Sequence, residues 1–173
     1  MKKLISLFII VLLTILSIGP AAASDWKSLR SENNKRLVWH SCTVLYSIDG
    51  NGHSTKALKS AIKETEKVSG VDFRRVAWSK SDLKIKLTSK KNKKYYAYIN
   101  YFHDNNIDRG LISVYRGTLR ASYKTQLNVY RHELGHALGL DHVKGSDVMN
   151  ARTTSSRTRT AWRAGLKHLY RGC

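Results

Sequence analysis

Residues 132–142 read HELGHALGLDH, which sets three histidines and one glutamate within eleven positions. Imidazoles bind transition metals and, with carboxylates, move protons near neutral pH. His132 and His136 are four residues apart, and on a helix that spacing stacks both rings on one face. Glu133 lies next to His132, about 100° further round the helix, so its carboxylate reaches a water on the same metal without being a ligand. Two histidines leave a catalytic zinc site incomplete, because such sites use three protein ligands and keep a fourth position open. Gly139 supplies the way to the third. Helices commonly end at a residue in left-handed conformation, which glycine adopts without steric cost, and the chain can then swing back to bring His142 to the same metal. The set His132, Glu133, His136, Gly139 and His142 predicts one catalytic Zn2+.

Several elements must position these side chains. CTVLYSID alternates Val44, Tyr46 and Ile48 and predicts a strand. After the turn GNGHS, Leu58, Ala61, Ile62, Thr65 and Val68 recur at helical spacing, with Ser54 or Thr55 as the cap and Gly70 as the stop. VDFRRVAW, DLKIKL, KKYYAYINYF and GLISVY are further strand candidates. A helix is expected over Ser122–Leu138, with Leu127, Tyr130, Leu134 and Leu138 as its apolar stripe. A final helix is expected over Thr160–Tyr170, with Trp162, Leu166, Leu169 and Tyr170 on one face. The expected class is α+β: a small mixed sheet, an early helix, a central zinc-binding helix and a C-terminal helix.

HELGHALGLDH followed by SDVM resembles the metzincin zinc endopeptidases, in which HExxHxxGxxH precedes a turn holding a methionine below the metal. The matching residues are His132, Glu133, His136, Gly139, His142 and Met149. The order of VLYSID, a helix, VDFRRV and DLKIKL, with AGLKHLY at the end, is similar to the matrixins in small bacterial form, over most of Trp39–Tyr170. The resemblance implies a zincin-like domain with Met149 in the Met-turn and Glu133 as general base. It also implies a peptide substrate lying extended in a cleft above the zinc helix, against an edge strand at either Tyr95–Tyr101 or Leu111–Tyr115. The chain departs from the matrixin pattern in several places. Val143 stands where matrixins usually carry serine, and no tyrosine closely follows Met149. No motif supports additional Ca2+ or structural Zn2+; His103 and Asp104 read as a surface loop. The inhibitory cysteine of a matrixin pro-segment is missing, and Asp25 either takes that blocking role or is an exposed terminal residue.

The rest of the chain sets the context. Lys2 and Lys3, an apolar run from Leu4 to Ile18, a Gly19-Pro20 break and Ala21-Ala22-Ala23 have the layout of a secretory signal peptide over 1–23. Residues 24–36 lack an apolar period and read as a flexible leader or short pro-segment, leaving 37–173 as the catalytic domain. The expected location is secreted and extracellular, with envelope association. The full chain carries a formal +19; without Lys2 and Lys3, 29 basic side chains face 12 acidic ones. That field attracts anionic envelope polymers or lipid head groups, and the dense run Lys90, Lys91, Lys93 and Lys94 is either its focus or a solvated loop. Nucleic acid is not expected, since no recognition motif accompanies the export signal. Cys42 and Cys173 are either two structural thiols or, as export favours, one disulfide. Two other functions compete: a cationic envelope-binding protein with a zinc-stabilised fold, and a zinc amidase acting on cell-wall peptides. Glu133 favours an enzyme, because a structural zinc site needs no base and fills its fourth position with a protein ligand.

Overall fold

The computed structural model describes residues 26–50, 55–92, 95–103, 106–152 and 158–173. The signal segment 1–23, Asp25, the GNGHS residues 51–54 with the candidate cap Ser54, Lys93, Lys94 and Asp104 lie outside the described residues.

The chain is α+β, as expected. Five strands, β1 (Thr43–Asp49), β2 (Asp72–Arg75), β3 (Leu83–Leu87), β4 (Ala97–His103) and β5 (Ile107–Val114), form one mixed sheet. The helices are α1 (Thr55–Ser69), α2 (Arg116–Leu119), α3 (Tyr123–Ala137) and α4 (Thr160–Leu169). The sheet order is β2-β1-β3-β5-β4. Its first three pairings are parallel, and only β4 runs antiparallel, against β5. Parallel neighbours need a crossover connection, and α1 provides it between β1 and β2. Of the two strands expected as a substrate edge, β4 is the edge and β5 lies inside the sheet.

The strand register gathers the apolar alternation onto one face. Val44 pairs with Phe73, Tyr46 with Leu83, Ile48 with Ile85, Ile85 with Ile112, and Ile112 with Ile99. Paired residues share a face, so these side chains form one apolar surface. It packs in one core with Ala57, Leu58, Ala61 and Ile62 of α1, Val129, Tyr130 and Leu134 of α3, and Trp162 and Leu166 of α4. The opposite face carries Arg74, Lys84 and Lys86.

Several boundaries differ from the sequence reading. The strand begun by VDFRRVAW ends at Arg75, and Trp78 enters a 3₁₀ turn with its ring exposed. β4 starts at Ala97, leaving Tyr95 and Tyr96 exposed ahead of it, while β5 starts at Ile107, where the hairpin pairs His103 with Ile107 across a bulge. Ser122 and Leu138 are caps of α3 rather than members, and Tyr170 caps α4. Leu127 is only half-buried, and Gln126 and Asn128 take buried positions beside the apolar stripe.

The largest revision concerns the leader. Its described part, from Trp26 to Arg36, is hydrogen-bonded to the domain: Leu29 N donates to Gly139 O (2.8 Å), and Asp141 N donates to Lys27 O (2.8 Å). Leu37 N donates back to Leu29 O (3.0 Å), so the segment folds as a small hairpin. The Trp26 ring lies 4.8 Å from His168, under the Arg36 guanidinium. A sequence without apolar period still orders here because its backbone finds partners in a turn that would otherwise lack them.

Cys42, just ahead of β1, and Cys173, at the C-terminus, form a disulfide with Cα atoms 5.4 Å apart. Gly70, at φ +82°, makes room for it, since a side-chain carbon there would come within 2.6 Å of the Cys173 backbone. The bridge spans 131 residues, and cross-linking a loop of that size restricts the unfolded chain by about 4–5 kcal/mol in the chain-entropy relation. Cys42→Ala/Cys173→Ala should therefore lower the unfolding free energy by about that amount in a urea titration. Alkylation of the native, non-reduced protein should add no mass.

Candidate metal centre

Helix α3 positions the first two histidines and the glutamate. Ser122 starts it by accepting from Thr125 N (3.3 Å). At the other end Gly139 N donates to His136 O (2.8 Å) and Leu140 N to Gly135 O (2.9 Å), the paired bonds of a Schellman ending. Gly139 has φ +89°, and a side-chain carbon there would run into the Leu37 carbonyl oxygen. Glycine is required twice over, by the left-handed backbone and by the close approach of the chain after the leader hairpin. Past this turn the chain reverses and brings His142 back.

The three histidines converge. Their Nε2 atoms lie 3.0 Å (His132 to His136), 3.1 Å (His136 to His142) and 3.3 Å (His132 to His142) apart. The far nitrogens of two rings are fixed: His132 Nδ1 donates to Val148 O and His136 Nδ1 to Leu140 O, both at 2.7 Å. A backbone carbonyl accepts only, so each Nδ1 carries a proton and each Nε2 of the neutral ring presents a lone pair. Burial, with lesser contributions from His132 and His142, holds the His136 pKa well below its ordinary value and keeps that ring neutral. Lone pairs facing each other at these distances repel unless a cation lies between them. Four-coordinate zinc with nitrogens at about 2.0–2.1 Å requires neighbouring nitrogens about 3.3–3.4 Å apart, close to the spacing found. The residues present fit a metal ion, with His132 and His136 buried and His142 on the open side.

Glu133 sits beside this cluster and is only 4 % exposed. Its Oε2 has no hydrogen-bond partner among the described residues, and burial pushes its pKa up to about 8. A cation at the histidines would draw it back down. The Tyr101 hydroxyl is likewise buried without a partner. Its pKa is raised by burial first, then by the charges of Glu133 and Asp141. Glu133, Tyr101 and the three histidines line one cavity of about 420 Å³, walled by Leu29 of the leader hairpin, Val129 of α3, and Tyr95, Tyr96 and Tyr98 at and before β4.

Met149 lies beneath the cluster, 1 % exposed. It packs against Gly135, where a side-chain carbon would come within 2.5 Å of its Sδ and 3.0 Å of the Trp162 ring. Asp147 fixes the same turn, accepting from Met149 N (3.0 Å) through Oδ1 and from Ala161 N in the first turn of α4 (2.9 Å) through Oδ2. The turn in turn offers the Val148 carbonyl to His132. Every residue singled out for the metal site is thus in one place. Cys42 and Cys173 are not among the residues lining the cavity. His103 ends β4 on the surface, and Lys90 and Lys91 are exposed ahead of it.

Four contributors escaped sequence reasoning: Tyr101, Leu29, Asp147 and Gly135. Only Gly135 left a trace, as a glycine kept inside a helix where alanine is favoured. No protein-family model matches the chain, and no curated protein matches it.

Gly135→Ala gains helix propensity but overfills the space above Met149 and Trp162. Overpacking of that kind costs about 1–3 kcal/mol and outweighs the propensity gain of about 1 kcal/mol. The variant should melt below wild type and hold metal less tightly, by calorimetry and metal analysis. An unchanged or higher melting temperature would show that Met149 has room to move.

Proposed function

We propose that the chain is a secreted zinc endopeptidase of metzincin type, with a zincin-like fold. The observation that carries this reading is the convergence of three imidazole Nε2 atoms beside a buried carboxylate with an unpartnered oxygen. A structural site would close its coordination with a fourth protein ligand, whereas among the described residues three histidines stand at an accessible cavity. His132, His136 and His142 would hold a zinc ion, which would supply Lewis acidity, lowering the pKa of a water toward about 7 and polarising a carbonyl.

The chain's own residues do the rest. Glu133 accepts the proton that the attacking water gives up and delivers it to the leaving nitrogen as the peptide bond breaks. Its burial keeps that proton away from bulk solvent during the step. β4 is one of the two edge strands of the sheet and borders the cavity, so an extended peptide can pair with it as an added strand. The tyrosines at and before β4 make one wall of that cavity apolar. The disulfide fits an oxidising compartment, and no helix among the described residues is long and apolar enough to cross a membrane. Anionic envelope material is the proposed surface on which the enzyme acts, given the excess of basic side chains.

Two variants separate the roles. Glu133→Ala should retain about one zinc per chain and melt near wild type, while peptide hydrolysis falls by about three orders of magnitude. His142→Ala should lose zinc affinity and activity together, with a lower melting temperature because metal binding is linked to folding. Metal analysis, a melting curve and a peptide-library digest on the same preparations decide it. Full activity in Glu133→Ala overturns the role of Glu133. A wild type that cleaves no library peptide but releases amino acids from wall peptides is an amidase instead.

A further inference from the structure

Helix α1 turns Lys56, Lys59, Lys63 and Lys67 to solvent, at spacings of three, four and four residues. With 1.5 Å of rise per residue they form a straight stripe about 16 Å long. Lys63 and Lys67 are one wall of a groove whose other wall is Arg163 and Lys167 of α4, and a shallower depression along Lys56, Lys59 and Lys63 continues it. Like charges three and four apart on a helix repel and weaken it, so the stripe works against the stability of α1.

Among the described residues, no ion pair relieves that repulsion. The helix has two acidic residues, Glu64 and Glu66. Glu64 is held by Arg131, Arg159 and Arg163. Burial alone would raise its pKa, but the Arg131 and Arg159 guanidinium groups outweigh that and hold it below its ordinary value, so it stays an anion used up by arginines. Glu66 accepts from Phe73 N (3.1 Å). Among the described residues no ion pair engages the four lysines.

From this geometry we infer that the α1–α4 groove is a docking site for a linear, base-free phosphate polymer. Successive lysines advance about 4.5–6 Å along the helix, which suits a chain carrying one anionic group per short repeat. Two cationic walls track a strand better than a plane. No aromatic ring lines the groove, so a nucleobase finds no stacking platform there. Of the exposed rings, Trp78, Tyr95, Tyr96, Tyr98 and Phe102 line neither part of the groove, and Tyr123 borders it with its hydroxyl held by the groove-lining Ser60 (3.0 Å). The groove shares no lining residue with the metal-centre cavity, so a bound polymer leaves the cavity open. This site stands whether or not the chain is an enzyme.

The test uses inorganic polyphosphate as probe and three full-length proteins: wild type, Lys56→Gln/Lys59→Gln/Lys63→Gln/Lys67→Gln, and Lys90→Gln/Lys91→Gln/Lys93→Gln/Lys94→Gln. Both variants lose four charges, so a difference between them reports location and not net charge. The α1 variant should bind at least about tenfold more weakly, with a salt slope reduced by roughly one per lost contact. It should melt at or above wild type, since repulsion within α1 is relieved. The second variant should stay within about threefold of wild type, and Lys167→Gln alone should weaken binding measurably. Equal losses in the two quadruple variants, no loss in the α1 variant, or tighter wild-type binding to a single-stranded oligonucleotide or to phosphatidylglycerol vesicles would each overturn the assignment.

Discussion

Three imidazole nitrogens held within 3.3 Å of one another are an arrangement that a folded chain does not adopt for its own stability. Neutral rings facing lone pair to lone pair repel, and the surrounding structure has to impose the geometry or a cation has to reward it. Here the imposition is visible. Two backbone carbonyls, Val148 O and Leu140 O, take the Nδ1 protons of His132 and His136 and so fix both the tautomer and the ring plane. Each carbonyl belongs to a turn that something else holds in place.

The Val148 carbonyl is set by the turn that Asp147 ties to the start of α4, and α4 is held in the core by Trp162. The indole of Trp162 donates to Arg131 O (3.0 Å), one residue before the first histidine. The Leu140 carbonyl belongs to the Schellman turn at Gly139, which the leader hairpin clasps through Leu29 and Lys27. Trp39 closes the circuit, with its indole donating to Ala137 O (2.7 Å) and its amide donating to the Tyr170 hydroxyl (3.2 Å). The end of the histidine-bearing helix α3, the leader and the C-terminal helix are one hydrogen-bonded unit, and the Cys42–Cys173 bridge fastens the C-terminus to the start of β1. Loss of the leader's backbone bonds would therefore be felt at the third histidine, although no described leader residue belongs to the candidate ligand set.

Charge follows a different logic. The centre itself is poor in cationic side chains; its cavity is lined by aromatic and aliphatic groups, the histidines, and the acids Glu133 and Asp141. Basic residues are placed on the solvent face of α1, on α4 and on the exposed face of the sheet. Separating the two leaves a pocket without lysine or arginine at the histidines while the rest of the surface holds a strong positive field.

The sequence by itself determined what could be set by local periodicity. The spacing of His132, Glu133 and His136, the glycine at 139 and the alternation in β1 and β3 each act through a few bonds of backbone, so a reader of the chain can follow them. Those short-range signals were enough to foresee an α+β chain and a three-histidine cluster. Tertiary structure alone decided which of the two candidate strands lies at a sheet edge, that residues 26–36 clasp the helix end, that Asp147 joins two distant turns, and that Tyr101 and Glu133 line one cavity. None of these has a periodic signature, because each depends on segments that meet only after the chain has folded. The α1 lysine stripe lies between the two cases: its spacing is written in the sequence, but only the packing of α4 beside it makes a groove, and the capture of Glu64 by three arginines leaves the lysines without an ion pair among the described residues.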